Sequence, residues 1–146
     1  MKHVFIIGAL LALYLMGCKS ESKWKTTHYH PGGEVKASRE YIVDHTDTIY
    51  IYEKVFYQDG SVQVEGALQA NKKEGVWKSF YADGKPWSIT EFHNGEMNGA
   101  TKTFYMNGQL RYDGFYKEGV IVGNWHWYDS TGTLNKEVDF DQEDKK

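Results

Sequence analysis

The sequence contains one cysteine and two prolines, and outside its first 17 residues it shows almost no helical periodicity. A single thiol, Cys18, cannot form a disulfide within the chain. The weak helical periodicity argues against a helical domain. A net charge of −3 gives no reason to expect nucleic acid or an anionic membrane surface as the main partner.

Glycine and aromatic residues, by contrast, are abundant. The 146 residues, enough for one domain, include 15 glycines, 11 tyrosines and five tryptophans. Tyrosine, tryptophan, phenylalanine and threonine favour strands, whereas glycine favours tight turns. The composition therefore predicts short β-strands joined by tight turns.

The N-terminal segment has the features of an export signal. Lys2 precedes an uncharged run at residues 4–16, which is too short to cross a hydrocarbon core of ~30 Å comfortably. The run leads into the letters LMGC, which resemble the lipobox of bacterial lipoproteins. This resemblance implies cleavage before Cys18, a thioether-linked diacylglycerol on its thiol and an acylated new N-terminus. The alternative is an uncleaved hydrophobic anchor with an incidental cysteine.

A lipid-modified Cys18 predicts that the protein is held at a membrane of the cell envelope. Several acyl chains on one residue anchor a protein stably, whereas a single chain is marginal. The residues that follow are Lys19-Ser20, without the aspartate that serves as the simplest inner-membrane retention signal. The sequence therefore favours the outer membrane of a Gram-negative bacterium.

A five-residue phrase recurs every 24 residues. It reads FYQDG at residues 56–60, FYADG at 80–84 and FYMNG at 104–108. Two sets of glycines share the register: Gly60, Gly84, Gly108 and Gly132, and then Gly75, Gly99 and Gly123. A fixed period of this length indicates a repeat architecture.

Each 24-residue unit contains two turn signals. Asp83-Gly84 and Asn107-Gly108 predict type I′ hairpin turns, in which both central residues take positive φ. A second turn is predicted 11 residues further on, at Asn94-Gly95 and Glu118-Gly119, with Asn71 at the same place in the first repeat. Each unit is thus predicted to be two strands and two turns, and the spacing is structural.

Apolar residues also recur between the turns. Two columns are separated by an even number of residues and are predicted to share one face of the strands: Val62, Pro86, Leu110 and Leu134, and Leu68, Phe92, Tyr116 and Phe140. The face of a third column (Phe56, Phe80, Phe104 and Tyr128) depends on turn length, because a shift of one residue reverses the parity. A column of small residues (Gly66, Thr90 and Gly114) predicts close approach of neighbouring strands, or of a ring laid across them.

The letters GVWKSFYADGKPWSITEFHNGEMNG at residues 75–99 resemble MORN-variant repeats, which in bacteria are grouped with the YwqK-like antitoxin family. The resemblance covers about residues 56–140, and its fourth copy, WYDSTG, departs from the pattern and suggests a capping hairpin. It implies an all-β fold, an elongated single-layer antiparallel β-meander of repeated hairpins stabilised by stacked aromatic side chains. It also implies a binding or scaffolding module and not an enzyme.

Five segments are predicted along the chain. They are a signal peptide at 1–17, a lipidated tether at 18–28, a degenerate β segment or cap at 29–55, the repeat domain at 56–140 and a charged tail at 141–146. The cap is assigned because YHPGGEVKASREY loosely echoes the repeat, and terminal repeats are usually atypical.

No pattern of catalytic or metal-binding residues stands out. His28 and His30 lie on one side of an extended strand, and His45 with Asp44 and Asp47 could complete a metal site, but no zinc-type spacing connects them. We therefore expect no metal and no cofactor. The sequence also lacks a nucleophile motif, a phosphate-binding loop and a distinctive carboxylate pair, so we expect no enzymatic activity.

The aromatic residues are the candidates for binding. They form either the core of a one-layer sheet, which has no second layer to bury against, or an exposed stripe. The candidates are Trp77, Tyr81, Trp87, Tyr105, Trp125 and Trp127. We expect a protein partner in the envelope; the alternatives are a glycan or peptidoglycan on the aromatic stripe, and an antitoxin or immunity role suggested by the family name alone.

Overall fold

The computed structural model describes residues 21–143. The predicted signal peptide, the lipidation site Cys18 and the last three residues lie outside this range. No helix of the described residues is long and apolar enough to cross a membrane.

The described chain forms one antiparallel sheet of ten strands in sequence order, followed by a single helical turn. The strands are β1 (Lys23–Tyr29), β2 (Val35–Asp44), β3 (Asp47–Phe56), β4 (Val62–Gln69), β5 (Lys72–Phe80), β6 (Pro86–His93), β7 (Glu96–Phe104), β8 (Leu110–Lys117), β9 (Val120–Tyr128) and β10 (Leu134–Asp139), and the helix is α1 (Phe140–Glu143). Every strand pairs with its sequence neighbours and with no other described strand. The predicted all-β meander is confirmed.

The turns at the recurring FY phrase are not the predicted type I′ turns. Gly84 has φ 82° and Gly108 has φ 86°, but neither Asp83 nor Asn107 takes positive φ. The Gly84 amide donates to the carbonyl of Tyr81 at 2.9 Å, and the strand register shifts by one residue beside the turn. This is a type I turn followed by a left-handed glycine, the geometry of a three-residue hairpin with a bulge. The DG pair alone does not distinguish the two turn types.

The second set of turns lies at the predicted positions, and it has the type I′ geometry that was predicted for the first set. Asn94 and Gly95 have φ 54° and 94°, and Glu118 and Gly119 have φ 51° and 80°. In the first repeat Ala70 and Asn71 replace this pair, with φ 49° and 62°. Two consecutive positive φ values define a type I′ turn, so these hairpins are tighter than those at the FY phrase.

The N-terminal boundary differs from the prediction. Residues 23–28, assigned from sequence to the tether, belong to strand β1, which pairs with β2. The sequence there is polar because β1 is an edge strand of a one-layer sheet, where both faces meet solvent. At the other end, α1 includes residues 141–143 of the predicted charged tail.

Alternation along the strands divides the side chains between two faces. Trp77 is level with Gly66 and Thr90 on the neighbouring strands, and we call its side of the sheet the tryptophan face. Lys78 is level with Glu65 and Ile89 on the other side, which we call the charged face. By the same alternation, the column beginning at Leu68 lies on the tryptophan face within its strands, whereas Phe80 lies on the charged face. A bulge interrupts the alternation between Pro86 and Ser88 and places Pro86 level with Phe80, so the even spacing of the Val62 and Leu68 columns does not by itself put them on one face. Phe140, which completes the Leu68 column, lies in α1.

Candidate binding site

A ladder of side-chain hydrogen bonds connects successive repeats. The hydroxyl of Tyr57 donates to the carbonyl of Phe80 at 2.9 Å, that of Tyr81 to Phe104 at 2.7 Å, and that of Tyr105 to Tyr128 at 2.9 Å. Each bond joins one FY turn to the last residue of the strand that precedes the next FY turn. The tyrosine of the phrase is therefore a structural residue that spaces the repeats.

His30 begins the same ladder. Its Nε2 lies 3.1 Å from the carbonyl oxygen of Phe56, and its backbone forms the same turn, with hydrogen bonds to Glu34 and Gly33. The predicted degenerate repeat is thus a structural copy of the others, with histidine in the tyrosine position. This contact occupies one nitrogen of His30. Among the described residues, no group of three or more His, Cys, Asp or Glu side chains could hold a metal ion.

Counting each unit from its FY phrase, the first, middle and third units are residues 56–79, 80–103 and 104–127. Indole rings cover glycines in the first and third units. Trp77 lies over Gly66, and Trp125 lies over Gly114, so closely that a Cβ atom at either glycine would overlap the ring. Both tryptophans are 3% exposed, and the indole Nε1 of Trp77 donates to the carbonyl of Ala67 at 2.9 Å. Trp77 and Trp125 therefore provide the core of this one-layer sheet. The small-residue column was correctly interpreted as allowing a ring to lie across it.

The middle unit lacks this stack. Thr101 lies 24 residues from both Trp77 and Trp125, and Thr90 lies midway between Gly66 and Gly114. The two threonine hydroxyls are 2.8 Å apart. Thr101 is 4% exposed and Thr103 is 3% exposed. Both members of the indole–glycine pair are therefore replaced together, and a short hydrogen-bonded pair takes the place of the ring.

A trough lies on the tryptophan face at the middle unit. Its volume is about 250 Å³. Five serine and threonine residues line it: Ser79, Ser88, Thr90, Thr101 and Thr103. The remaining lining residues are Val64, Lys73, Trp77, Trp87, Phe92, Met97, Tyr112 and Tyr116. We call this the central trough; it combines apolar and aromatic side chains with a row of hydroxyl groups.

One cation lies at the wall of the central trough. The Lys73 ammonium is 4.4 Å from the ring centroid of Trp77 and 4.7 Å from that of Phe92. Burial lowers the pKa of Lys73 from its ordinary value, and the nearby carboxylate of Glu53 opposes that effect. Burial also raises the pKa of the Tyr116 hydroxyl, so this phenol is neutral at physiological pH.

The charged face has a different chemistry. One row across the sheet alternates sign over much of its length: Lys54, Glu65, Lys78, Ile89, Lys102, Asp113, His126 and Glu137. Beside this row lie exposed apolar side chains, including Phe115, 54% exposed, Val120, 64% exposed, and Val76, 47% exposed. We call Ala100, Phe115 and Val120 the apolar patch; the register places Phe115 level with Ala100, whereas Glu91 lies opposite Val76 and separates it from the patch.

The six aromatic candidates occupy three environments. Trp77 and Trp125 are core residues, and Trp127 stacks on Trp125 at 5.9 Å between ring centroids. Tyr81 and Tyr105 belong to the ladder. Trp87 is 45% exposed and lines the central trough. Sequence reasoning did not include Thr101 or Thr103, although the break in the 24-residue period at Thr101 was a usable signal.

Comparison with known proteins identifies the repeats. The family described as MORN repeat variant matches residues 73–94 and 97–118, each of which spans most of an FY hairpin and the following turn. The chain therefore contains two adjacent MORN-variant repeats, and repeats of this kind are consistent with a binding or scaffolding module. No curated protein matches the chain.

Two solved structures show a weak likeness. "Crystal Structure of TarM" is 17% identical with a TM-score of 0.39, over 66% of this chain and 19% of that one. "Crystal structure of GtfA/B complex bound to UDP and GlcNAc" is 10% identical with a TM-score of 0.33, over 81% of this chain and 24% of that one. The chain thus spans at most 24% of the length of either, and TM-scores this low carry no argument about function.

Proposed function

We propose that the protein is a non-catalytic binding module, held at the outer membrane by lipid on Cys18, whose repeats bind a protein partner of the cell envelope. The lipobox-like letters before Cys18 support the anchor, and the two MORN-variant repeats support a binding role. Among the described residues, no second layer of strands covers either face of the sheet, so both faces are open to partners.

The observation that best supports a protein partner is the apolar patch on the charged face. Phe115 lies 24 residues after Glu91, so the repeat accepts a carboxylate at this position and the fold does not require an aromatic ring. Yet Phe115 is 54% exposed beside Val120. An exposed aromatic residue among apolar neighbours and alternating charges is typical of a protein interaction surface.

Affinity capture from solubilised envelopes tests this proposal. The full chain would be compared with Phe115→Glu, which restores the residue type of the preceding repeat, and with Val43→Glu, which changes an exposed side chain far along the sheet. We expect wild type and Val43→Glu to retain the same protein and Phe115→Glu to lose it. Equal capture by Phe115→Glu would reject the apolar patch as the docking surface.

A second candidate function is glycan binding, and the central trough is the observation that favours it. The trough lies on the opposite face from the apolar patch and carries five serine and threonine residues next to aromatic rings. Protease treatment of the envelope extract separates the two functions, because a polysaccharide ligand survives the treatment and a protein ligand does not.

A further inference from the structure

We propose that the central trough is a subsite for one pyranose ring of a glycan, created where the middle repeat replaces its tryptophan with Thr101. This inference rests on the second candidate function above and assigns it to one place on the sheet. Its starting point is the internal comparison of the repeats: Trp77 and Trp125 each supply a ring over a glycine, and the unit between them supplies none.

The size of the trough fits a single small ring. Its volume of about 250 Å³ is below the ~300–1,000 Å³ of pockets for drug-sized ligands. The neighbouring stacks cannot themselves fill it, because Trp77 and Trp125 are held over their own glycines by packing and by indole hydrogen bonds to the carbonyls of Ala67 and Phe115. The site is therefore formed by packed strands and not by a loop that must close.

The chemistry of the lining selects the kind of ring. An indole or phenyl group from a partner would cover several hydroxyl groups without replacing their hydrogen bonds to water, which is unfavourable. A pyranose carries hydroxyl groups that can both donate to and accept from Ser79, Ser88 and Thr103. Its C–H bonds can contact the aromatic walls, whose ring faces carry partial negative charge.

Lys73 adds a directional contact. Its ammonium group has three donors, and it forms no ion pair with any carboxylate of the described residues. It lies over Trp77 and Phe92 at the wall of the trough, where it can donate to a sugar oxygen. A ring bound here would therefore meet hydroxyl groups, aromatic rings and one cation.

The double substitution Thr90→Gly with Thr101→Trp tests the subsite. It installs in the middle repeat the pair that the first and third repeats already use, so the protein is expected to fold and its own indole fills the trough. Lys102→Ala is the matched control, because Lys102 lies between Thr101 and Thr103 in the sequence but on the charged face. Circular dichroism and urea unfolding of the full chain in detergent would establish that both variants are folded.

Binding would be measured by saturation-transfer NMR with soluble tetrasaccharides of hexoses, N-acetylhexosamines and uronic acids. We expect at least one saccharide to bind wild type and Lys102→Ala equally, with a dissociation constant raised on the order of tenfold or more in the double variant. Undiminished binding by a folded double variant would reject the central trough as the subsite, and it would mean that the glycan binds elsewhere on the chain. No transfer from any saccharide at millimolar concentration would overturn both glycan proposals. A tryptophan-containing peptide that binds where the saccharides fail would assign the trough to a protein ligand instead.

Discussion

The hydroxyl of Tyr81 donates a 2.7 Å hydrogen bond to the main-chain carbonyl of Phe104, and so connects one FY phrase directly to the next. The same bond recurs one repeat earlier and one repeat later. The two aromatic residues of the phrase thus have different roles: the tyrosine donates, and the residue before it provides the carbonyl that accepts. The 24-residue period is the chain length after which this pairing recurs.

Tyr81→Phe is predicted to destabilise the protein by about 1 kcal/mol, because it removes one donor from a part-buried carbonyl while keeping the ring. Urea unfolding of the full chain measures the change. Tyr29→Phe is the control, since Tyr29 is 62% exposed and its change should leave the midpoint in place. Identical midpoints for Tyr81→Phe and wild type would show that the ladder does not contribute to stability.

The hairpin meander was predictable because its signals are local. Asn94-Gly95 specifies a type I′ turn by itself, and the same kind of turn signal recurs along the chain with the 24-residue period. The Asp83-Gly84 turn was assigned the wrong type because aspartate and glycine also suit a type I turn followed by a left-handed glycine. That one-residue difference places Phe80 on the charged face, which the sequence left open.

The central trough was not predicted, for a different reason. Its position depends on which rings are core and which are exposed, and composition cannot separate Trp77, 3% exposed, from Trp87, 45% exposed. The informative residue is Thr101, which is unremarkable alone and significant only by comparison with the tryptophans one period away. Positions that follow the period serve the fold, and positions that depart from it are the candidates for function.

The indole–glycine pair is predicted to behave as one unit. Gly66→Thr alone should be strongly destabilising, because its side chain would overlap the ring of Trp77. Trp77→Thr alone should cost several kcal/mol, by analogy with the ~3–5 kcal/mol of buried aromatic truncations. Together the two changes reproduce the Thr90–Thr101 pair, whose hydroxyls are 2.8 Å apart.

A double-mutant cycle in urea measures this coupling. We expect the double variant to be more stable than the sum of the single changes predicts, by roughly 0.5–3 kcal/mol. Additive effects would mean that the ring and the glycine do not constrain each other. The Gly114 and Trp125 pair in the third unit offers an independent repetition of the cycle.

Cys18→Ser is predicted to abolish lipid labelling and to leave a larger, unprocessed precursor, because only the thiol can carry the thioether-linked diacylglycerol. Labelling with palmitate and gel mobility measure both effects. Ser20→Ala, two residues away, should be processed and labelled as in wild type. Incorporation of palmitate into the Ser variant would show that the lipobox interpretation is wrong.

Acid is predicted to destabilise the last FY-type turn through Asp129. Its Oδ1 accepts hydrogen bonds from the Thr131 hydroxyl at 2.6 Å and from the Thr131 and Thr133 amides at 2.9 and 3.0 Å. These bonds favour the charged form, and the Thr131 hydroxyl contributes most to lowering the pKa of Asp129 below its ordinary value of 3.8. The pKa of Asp129 is lower in the folded protein than in the unfolded chain. The stabilisation that its charged carboxylate provides is therefore present above the pKa of the unfolded chain, and it is lost as the pH falls through the pKa of the folded protein.

Urea midpoints between about pH 6 and pH 2 check this prediction. Asp129→Asn keeps an acceptor but cannot titrate, so its stability should fall less steeply below about pH 4 than that of wild type. Asp47→Asn, at an exposed position beside the β2–β3 turn, controls for the general loss of negative charge. A pH dependence in Asp129→Asn as steep as that of wild type would mean that the acid sensitivity arises elsewhere, with the equivalent turn residues Asp59 and Asp83, whose pKa values are also lowered, as the next to test.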